Sequence, residues 1–176
     1  MGYENYRQMD NTLFTRSYGF AGGNAGFIPQ FVTGLGIAYA INPMFDVAFH
    51  VVNSAQNQYP DDNKHKTMIL NGGINPVAHL SIDLNYMTGV DGRGAANFVN
   101  ATVMEATIAY MINEMFDVAV DYTARSTEAR TAAATKMDAS SIAAYVNANL
   151  GMFGAALRYE MVTDDKAGMI FNGVDL

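Results

Sequence analysis

The residues most able to do chemistry are too dispersed to do it together. His50, His65 and His79 stand in no HxxxH or histidine–carboxylate spacing that would make them metal ligands. No Gly-x-Ser-x-Gly elbow, P-loop or dinucleotide fingerprint occurs, and Ser, His and Asp are present only as scattered single residues. Cysteine is absent, which removes thiolate catalysis, Cys-ligated zinc and a disulfide scaffold together. Tyr59-Pro60-Asp61-Asp62-Asn63 and Asp91-Gly92-Arg93-Gly94 offer oxygen ligands, but neither has the acidic register of a calcium loop, and both read as surface turns. The expectation is a chain with no catalytic residues, no metal and no cofactor.

What remains is a polar set with a regular spacing, and the elements carrying it follow from composition. The 176 residues are 50% hydrophobic, yet mean hydropathy is only +0.03, because Asn, Gly, Thr and Asp are interleaved with the apolar residues. That mixture suits strands with one wet and one apolar face. A formal net charge of −7 without a Lys/Arg cluster argues against nucleic acid as a partner. The longest charge-free stretch, Ser17 to Phe45, contains six glycines and two prolines and makes a poor transmembrane helix.

From Leu35 onward one unit repeats: an alternating strand, a short turn, a second alternating strand and a longer polar connection. Turns are predicted at Asn42-Pro43-Met44, Asn75-Pro76-Val77, Asn113-Glu114-Met115 and Gly151-Met152, 33 to 38 residues apart. Met-Phe-Asp-Val-Ala recurs at Met44 to Ala48 and at Met115 to Ala119. The opposite connections, Ser54 to His65, Gly89 to Asn97, Thr127 to Ala139 and Thr163 to Gly168, are polar and longer. Short turns at one rim and long loops at the other is the asymmetry of outer-membrane barrels.

Counting by two assigns the faces. Leu80, Ile82, Leu84 and Tyr86 point one way; His79, Ser81, Asp83 and Asn85 point the other. Leu35, Ile37, Tyr39, Ile41, Phe45, Val47, Phe49 and Val51 share the apolar face, as do Phe116, Val118, Val120 and Tyr122. A soluble sandwich would alternate as well. Strand length and aromatic placement favour a membrane wall: strands run to about ten residues or more, and Phe45, Phe116, Phe153, Tyr39 and Tyr110 lie beside turns, as in an interfacial girdle.

Several short segments follow one another in order: Gly2-Tyr3-Glu4, Asn11, Phe14-Thr15-Arg16-Ser17-Tyr18, Thr33-Gly34-Leu35, Tyr39-Ala40-Ile41-Asn42, Val51-Val52-Asn53, Lys66-Thr67 and Tyr86-Met87-Thr88-Gly89. That order resembles the second class of β-barrel porins of Gram-negative bacteria. The match covers roughly the first ninety residues, and departs from the pattern where Ser54 follows Asn53 in place of a glycine. The resemblance implies an all-β, antiparallel up-and-down transmembrane β-barrel in the bacterial outer membrane.

On this reading the inward, pore-lining residues are Asp46, His50, Asn71, His79, Ser81, Asp83, Asn85, Glu105, Asp117, Asp121, Thr123, Arg125, Asn147, Asn149, Arg158 and Glu160. Six inward carboxylates against Arg125 and Arg158 make this wall acidic and favourable to cations. Arg158 and Glu160, inward neighbours on one strand, are expected to pair with each other or with Asp121 and Arg125. The expected function is a porin, a passive channel for small hydrophilic solutes or ions. Its partners would be outer-membrane lipid and those solutes, and a homo-oligomer is compatible with it. The alternatives are a structural barrel serving as adhesion scaffold or as sheath for a partner protein, and a soluble all-β binding protein.

The domain reading is one barrel over 1–176: a long loop at 1–30 that narrows the pore, then about four hairpins and the start of a further strand at 31–176. The start, without a basic region followed by an apolar one, reads as a processed or truncated end. The inward glycines and alanines are too small to fill an eight-stranded barrel. A portion of a larger, water-filled barrel is therefore expected, with the first and last strands unpaired to each other.

Overall fold

The structure, a computed structural model, describes residues 33–53, 64–91, 99–129 and 136–164. They form eight strands: β1 (Gly34–Asn42), β2 (Phe45–Val52), β3 (Thr67–Val77), β4 (Leu80–Asp91), β5 (Val99–Met111), β6 (Phe116–Ala129), β7 (Lys136–Asn149) and β8 (Gly154–Asp164). Each pairs antiparallel with its neighbour in sequence, so the sheet order is β1 to β8 without a crossover. The sheet is open, with β1 and β8 as its edges, as the small inward side chains lead one to expect. The expected loop at 1–30, most of the polar connections and any strand after residue 164 lie outside the described residues.

The repeated Met-Phe-Asp-Val-Ala has a local cause. In the first turn the side-chain Oδ1 of Asn42 accepts from the backbone N–H of Met44 (2.8 Å) and Phe45 (3.1 Å). In the third, Oδ1 of Asn113 accepts from Met115 (2.8 Å) and Phe116 (2.9 Å). An asparagine two residues before the methionine caps the turn and delivers Phe-Asp-Val-Ala into the next strand in one phase, Phe out and Asp in. Adjacent turns are then stitched together along the rim. The carbonyl of Met44 accepts from Asn75 N (2.8 Å), that of His79 from Met111 N (2.9 Å), and that of Met115 from Asn149 N (2.7 Å).

The second turn falls later than predicted, at Ala78 and His79, while Asn75-Pro76-Val77 belongs to β3. Pro76 lies where the β3–β4 register slips, between Ile74 and Val77. A bulge is a place in a sheet that accepts a residue with no N–H to donate. On the other rim the strands outrun the sequence reading: β4 continues to Asp91, β6 reaches Ala129 and β7 already begins at Lys136.

The two faces are inverted relative to a water-soluble sheet. On the convex face Leu84, Tyr86, Met104, Ile108, Val120, Tyr122, Ile142 and Leu157 are all exposed. On the concave face Glu105, Thr107, Asp121, Thr123 and Ser141 are buried, with Ala109, Ala119, Ala143 and Tyr145 packed as a small cluster beside them. So much exposed apolar surface in one band is stable only against hydrocarbon or another apolar surface. A lysine at Leu84 is expected to destabilise the protein by about 2 to 4 kcal/mol in lipid, while one at Ser81, its concave-side neighbour, is nearly neutral. Thr123 is not an equivalent control, since it is wholly buried. Equilibrium unfolding from bilayers measures both, and equal effects at Leu84 and Ser81 would contradict the face assignment.

Candidate functional site

The antiparallel register places the concave side chains in rows that run across the strands. One row reads Ala48, Asn71, Asn85, Glu105, Thr123, Ser141 from β2 to β7. The next, one step toward the turns, reads Asp46, Gly73, Asp83, Thr107, Asp121, Ala143, Glu160 from β2 to β8. Acidic residues thus occupy every second strand of the second row, with a small or hydroxyl residue between each pair.

The first row is wired by amides. Asn71 Nδ2 donates to Asn85 Oδ1 (2.6 Å), and Asn85 Nδ2 donates to Glu105 Oε2 (2.8 Å). The ladder is directional and ends on a carboxylate, which an amide donor suits better than a second acceptor would. Glu105 is only 4% exposed, and its Oε1 receives no hydrogen bond. In the second row Thr107 Oγ1 donates to Asp121 Oδ2 (2.6 Å) and Thr123 Oγ1 to Asp121 Oδ1 (3.1 Å), so two hydroxyls hold a fully buried carboxylate.

Two glycines give neighbouring side chains room to lie along the wall. An ideal Cβ on Gly36 would fall on the imidazole of His50, its register partner, and one on Gly73 would fall on the carboxylate of Asp46. Asp46 leans across Gly73 toward Asp83, close enough for the two charges to interact. These small inward residues therefore do more than leave volume empty, since they let polar neighbours flatten against the sheet.

Near the turns, Asn147 Nδ2 donates to Asp117 Oδ1 (2.9 Å). At the β8 edge Arg158 Nη2 makes an ion pair with Glu160 Oε2 along the strand, and its guanidinium sits 5.7 Å from the centroid of the Tyr145 ring. Of the two pairings open to Arg158 and Glu160, the structure has them with each other. Among the described residues no group of three or more His, Asp and Glu side chains could hold a metal ion.

Most of the residues singled out from sequence stand together on the concave face: Asp46, His50, Asn71, Ser81, Asp83, Asn85, Glu105, Asp117, Asp121, Thr123, Arg125, Asn147, Arg158 and Glu160. One does not. His79 is not a strand residue: it occupies the second turn, exposed, with φ at 70°. Asn149 ends β7 in the same phase as Asn147, and its Oδ1 accepts from Gly151 N (3.3 Å) in the turn that follows. Tyr145, by contrast, is a wall residue that the pattern does not mark, because aromatics elsewhere signal the outer face. Counting by two from Asn147 reaches it.

An open antiparallel meander with an apolar convex face and a hydrogen-bonded polar concave face defines the wall of a transmembrane β-barrel. The sequence profile of the family described as "Putative beta-barrel porin-2, OmpL-like" matches residues 1–175, and the chain belongs to that family. No curated protein matches it.

If the amide ladder holds Glu105, then Asn85→Ala and Glu105→Ala are coupled. Asn85→Ala is expected to cost about 2 kcal/mol, the range for a hydrogen bond to a charged group, and the double variant falls short of additivity by about 1 kcal/mol. Unfolding measurements on the two single variants and the double test this, and strict additivity would remove the ladder from the account.

Proposed function

We propose that the chain forms part of the wall of an outer-membrane channel through which small hydrophilic solutes or ions diffuse passively. The observation that carries this reading is the inversion of the sheet: charged and amide side chains line the concave face while exposed leucine, isoleucine, methionine and tyrosine cover the convex one. Family membership supports it. Outer-membrane lipid is the partner of the convex face, and the aqueous solute that of the concave one. The residues act together, by shaping and wetting a bore, and no bond is made or broken.

The free edges of β1 and β8 carry backbone donors and acceptors that hydrocarbon cannot satisfy. In the bilayer they pair with strands other than each other, giving a barrel wider than eight strands. A barrel of that width leaves an aqueous lumen where an eight-stranded one is filled by its own side chains.

A second reading, a structural barrel or a sheath around a partner protein, draws on one feature. The polar groups Glu105, Thr107, Asp121, Thr123 and Ser141 of β5 to β7 are buried, with Thr107 and Thr123 bonded to Asp121, whereas Asp46 and Asp83 on β2 and β4 are exposed. A sheath would carry no current. Planar-bilayer recording of the purified protein separates the two. Stepwise, ohmic conductance proportional to salt is expected, and its absence in protein shown to be folded would overturn the channel reading in favour of the sheath.

A further inference from the structure

We infer that the convex face carries a seat for the head group of one kind of lipid, an uncharged glycolipid, in a hollow on β5 to β8 near the rim of the longer connections. The inference rests on the convex face meeting lipid and is independent of what passes along the concave one.

The hollow has its cause in the register. One convex row reads Leu84, Ala106, Tyr122, Ile142, Met161 from β4 to β8, apolar throughout. The next, one step toward the longer connections, begins with Tyr86 and Met104 but continues as Ala124, Ser140 and Thr163. A third reads Thr88, Thr102, Ser126, Asp138. The apolar band therefore stops one row earlier on β6 to β8 than on β4 and β5, and the side chains shrink where it stops. A cavity of about 300 Å³ opens at that step, with Met104 and Tyr122 as its apolar lining and Thr102, Ser126, Ser140 and Thr163 as its polar one.

Three features choose the occupant. The cavity continues the lipid-facing band, so a molecule seated in it keeps its acyl chains against Met104 and Tyr122. The hydroxyls of Ser126, Ser140 and Thr163 form no hydrogen bond among the described residues. Each can donate and accept, and a hydroxyl covered by hydrocarbon alone is costly, so a head group with hydroxyls of its own suits them. The third feature is charge. Lys136 is paired with Asp138 at 3.0 Å and stands opposite Glu128 on β6, so the outer end of the hollow sets two carboxylates against one ammonium. That balance disfavours a phosphate and leaves an uncharged, polyhydroxylated head group. The longer connections of such barrels face away from the cell, which places the seat in the outer leaflet.

The chain has no tryptophan, so one introduced beside the hollow reports on the lipid there alone. Ile142→Trp stands next to Ser140 on the convex face, and Phe116→Trp, by the third turn on the same face, is the reference. The purified protein is reconstituted in phosphatidylcholine vesicles containing brominated-chain glucosyl diacylglycerol, phosphatidylglycerol or phosphatidylcholine, and quenching gives the relative affinity of each lipid at each position. At Ile142→Trp the glucosyl lipid is expected to be preferred about tenfold over phosphatidylcholine, the equivalent of one or two net hydrogen bonds. No preference is expected for phosphatidylglycerol, or for any lipid at Phe116→Trp. Ser126→Leu with Ser140→Leu, at outward positions where lipid accepts leucine, fills the hollow and should bring the preference close to one. Ser140→Leu alone, expected to give a smaller fall, serves if the double variant does not assemble. Methyl glucoside in the water, which lacks chains, should leave the preference intact. Equal affinity for all three lipids, a preference for phosphatidylglycerol, full competition by the free glucoside or a preference that survives the filled hollow overturns the inference and leaves the convex face in lipid. Loss of lipid quenching at Ile142→Trp alone, the mark of a protein lying over the hollow, overturns it as well. No quenching at either position overturns the lipid-facing reading itself.

Discussion

The ladder of backbone hydrogen bonds running in order from β1 to β8 is the constraint on which everything else in this structure depends. Inside hydrocarbon no water is present to satisfy an N–H or a carbonyl, so each strand must find its partners in its neighbours. Once that pairing is set, the register is no longer free. A slip of one residue would turn Leu84 inward and Asp83 out into lipid, reversing the face of every side chain on the strand.

From the register follow the contacts that give the concave face its character. Asn71, Asn85 and Glu105 meet only because they share a row, and the ladder they form fixes the orientation of a buried carboxylate. Asp121 is satisfied by Thr107 on the strand before it and by Thr123 on its own. Arg158 is spent on Glu160 and Tyr145, so a basic residue that looks available in sequence is largely neutralised in place. The result is a wall whose buried part is held by its own polar network and whose exposed part, at Asp46 and Asp83, remains acidic.

The turns solve a different problem, which is keeping the phase of alternation across each reversal. Asn42 and Asn113 do so with the same pair of side-chain-to-backbone hydrogen bonds, which accounts for the identical residues that follow. The second hairpin reaches the same end by another route. It absorbs Pro76 in a bulge and turns through His79 in the left-handed region, a conformation uncommon outside glycine that asparagine, aspartate and histidine adopt most readily. The fourth uses Gly151, also at positive φ, with Asn149 as its cap.

Alternation with a period of two was enough, from residues alone, to establish an all-β chain of hairpins and the side of each strand that is apolar. Leu80 to Tyr86 and Phe116 to Tyr122 carry that signal because neighbouring residues on a strand point to opposite faces whatever the strand pairs with. The same reasoning mistook Asn75-Pro76 for a turn, because an Asn-Pro pair reads alike in a turn and in a bulge, and it counted His79 as a wall residue by parity alone. What sequence could not contain was which residues share a row. Asp46 and Asp83, or Asn85 and Glu105, are distant in the chain, and their meeting depends on the length of each turn, on one bulge and on a glycine small enough to be leaned across. Those are properties of paired strands, and only the folded sheet decides them.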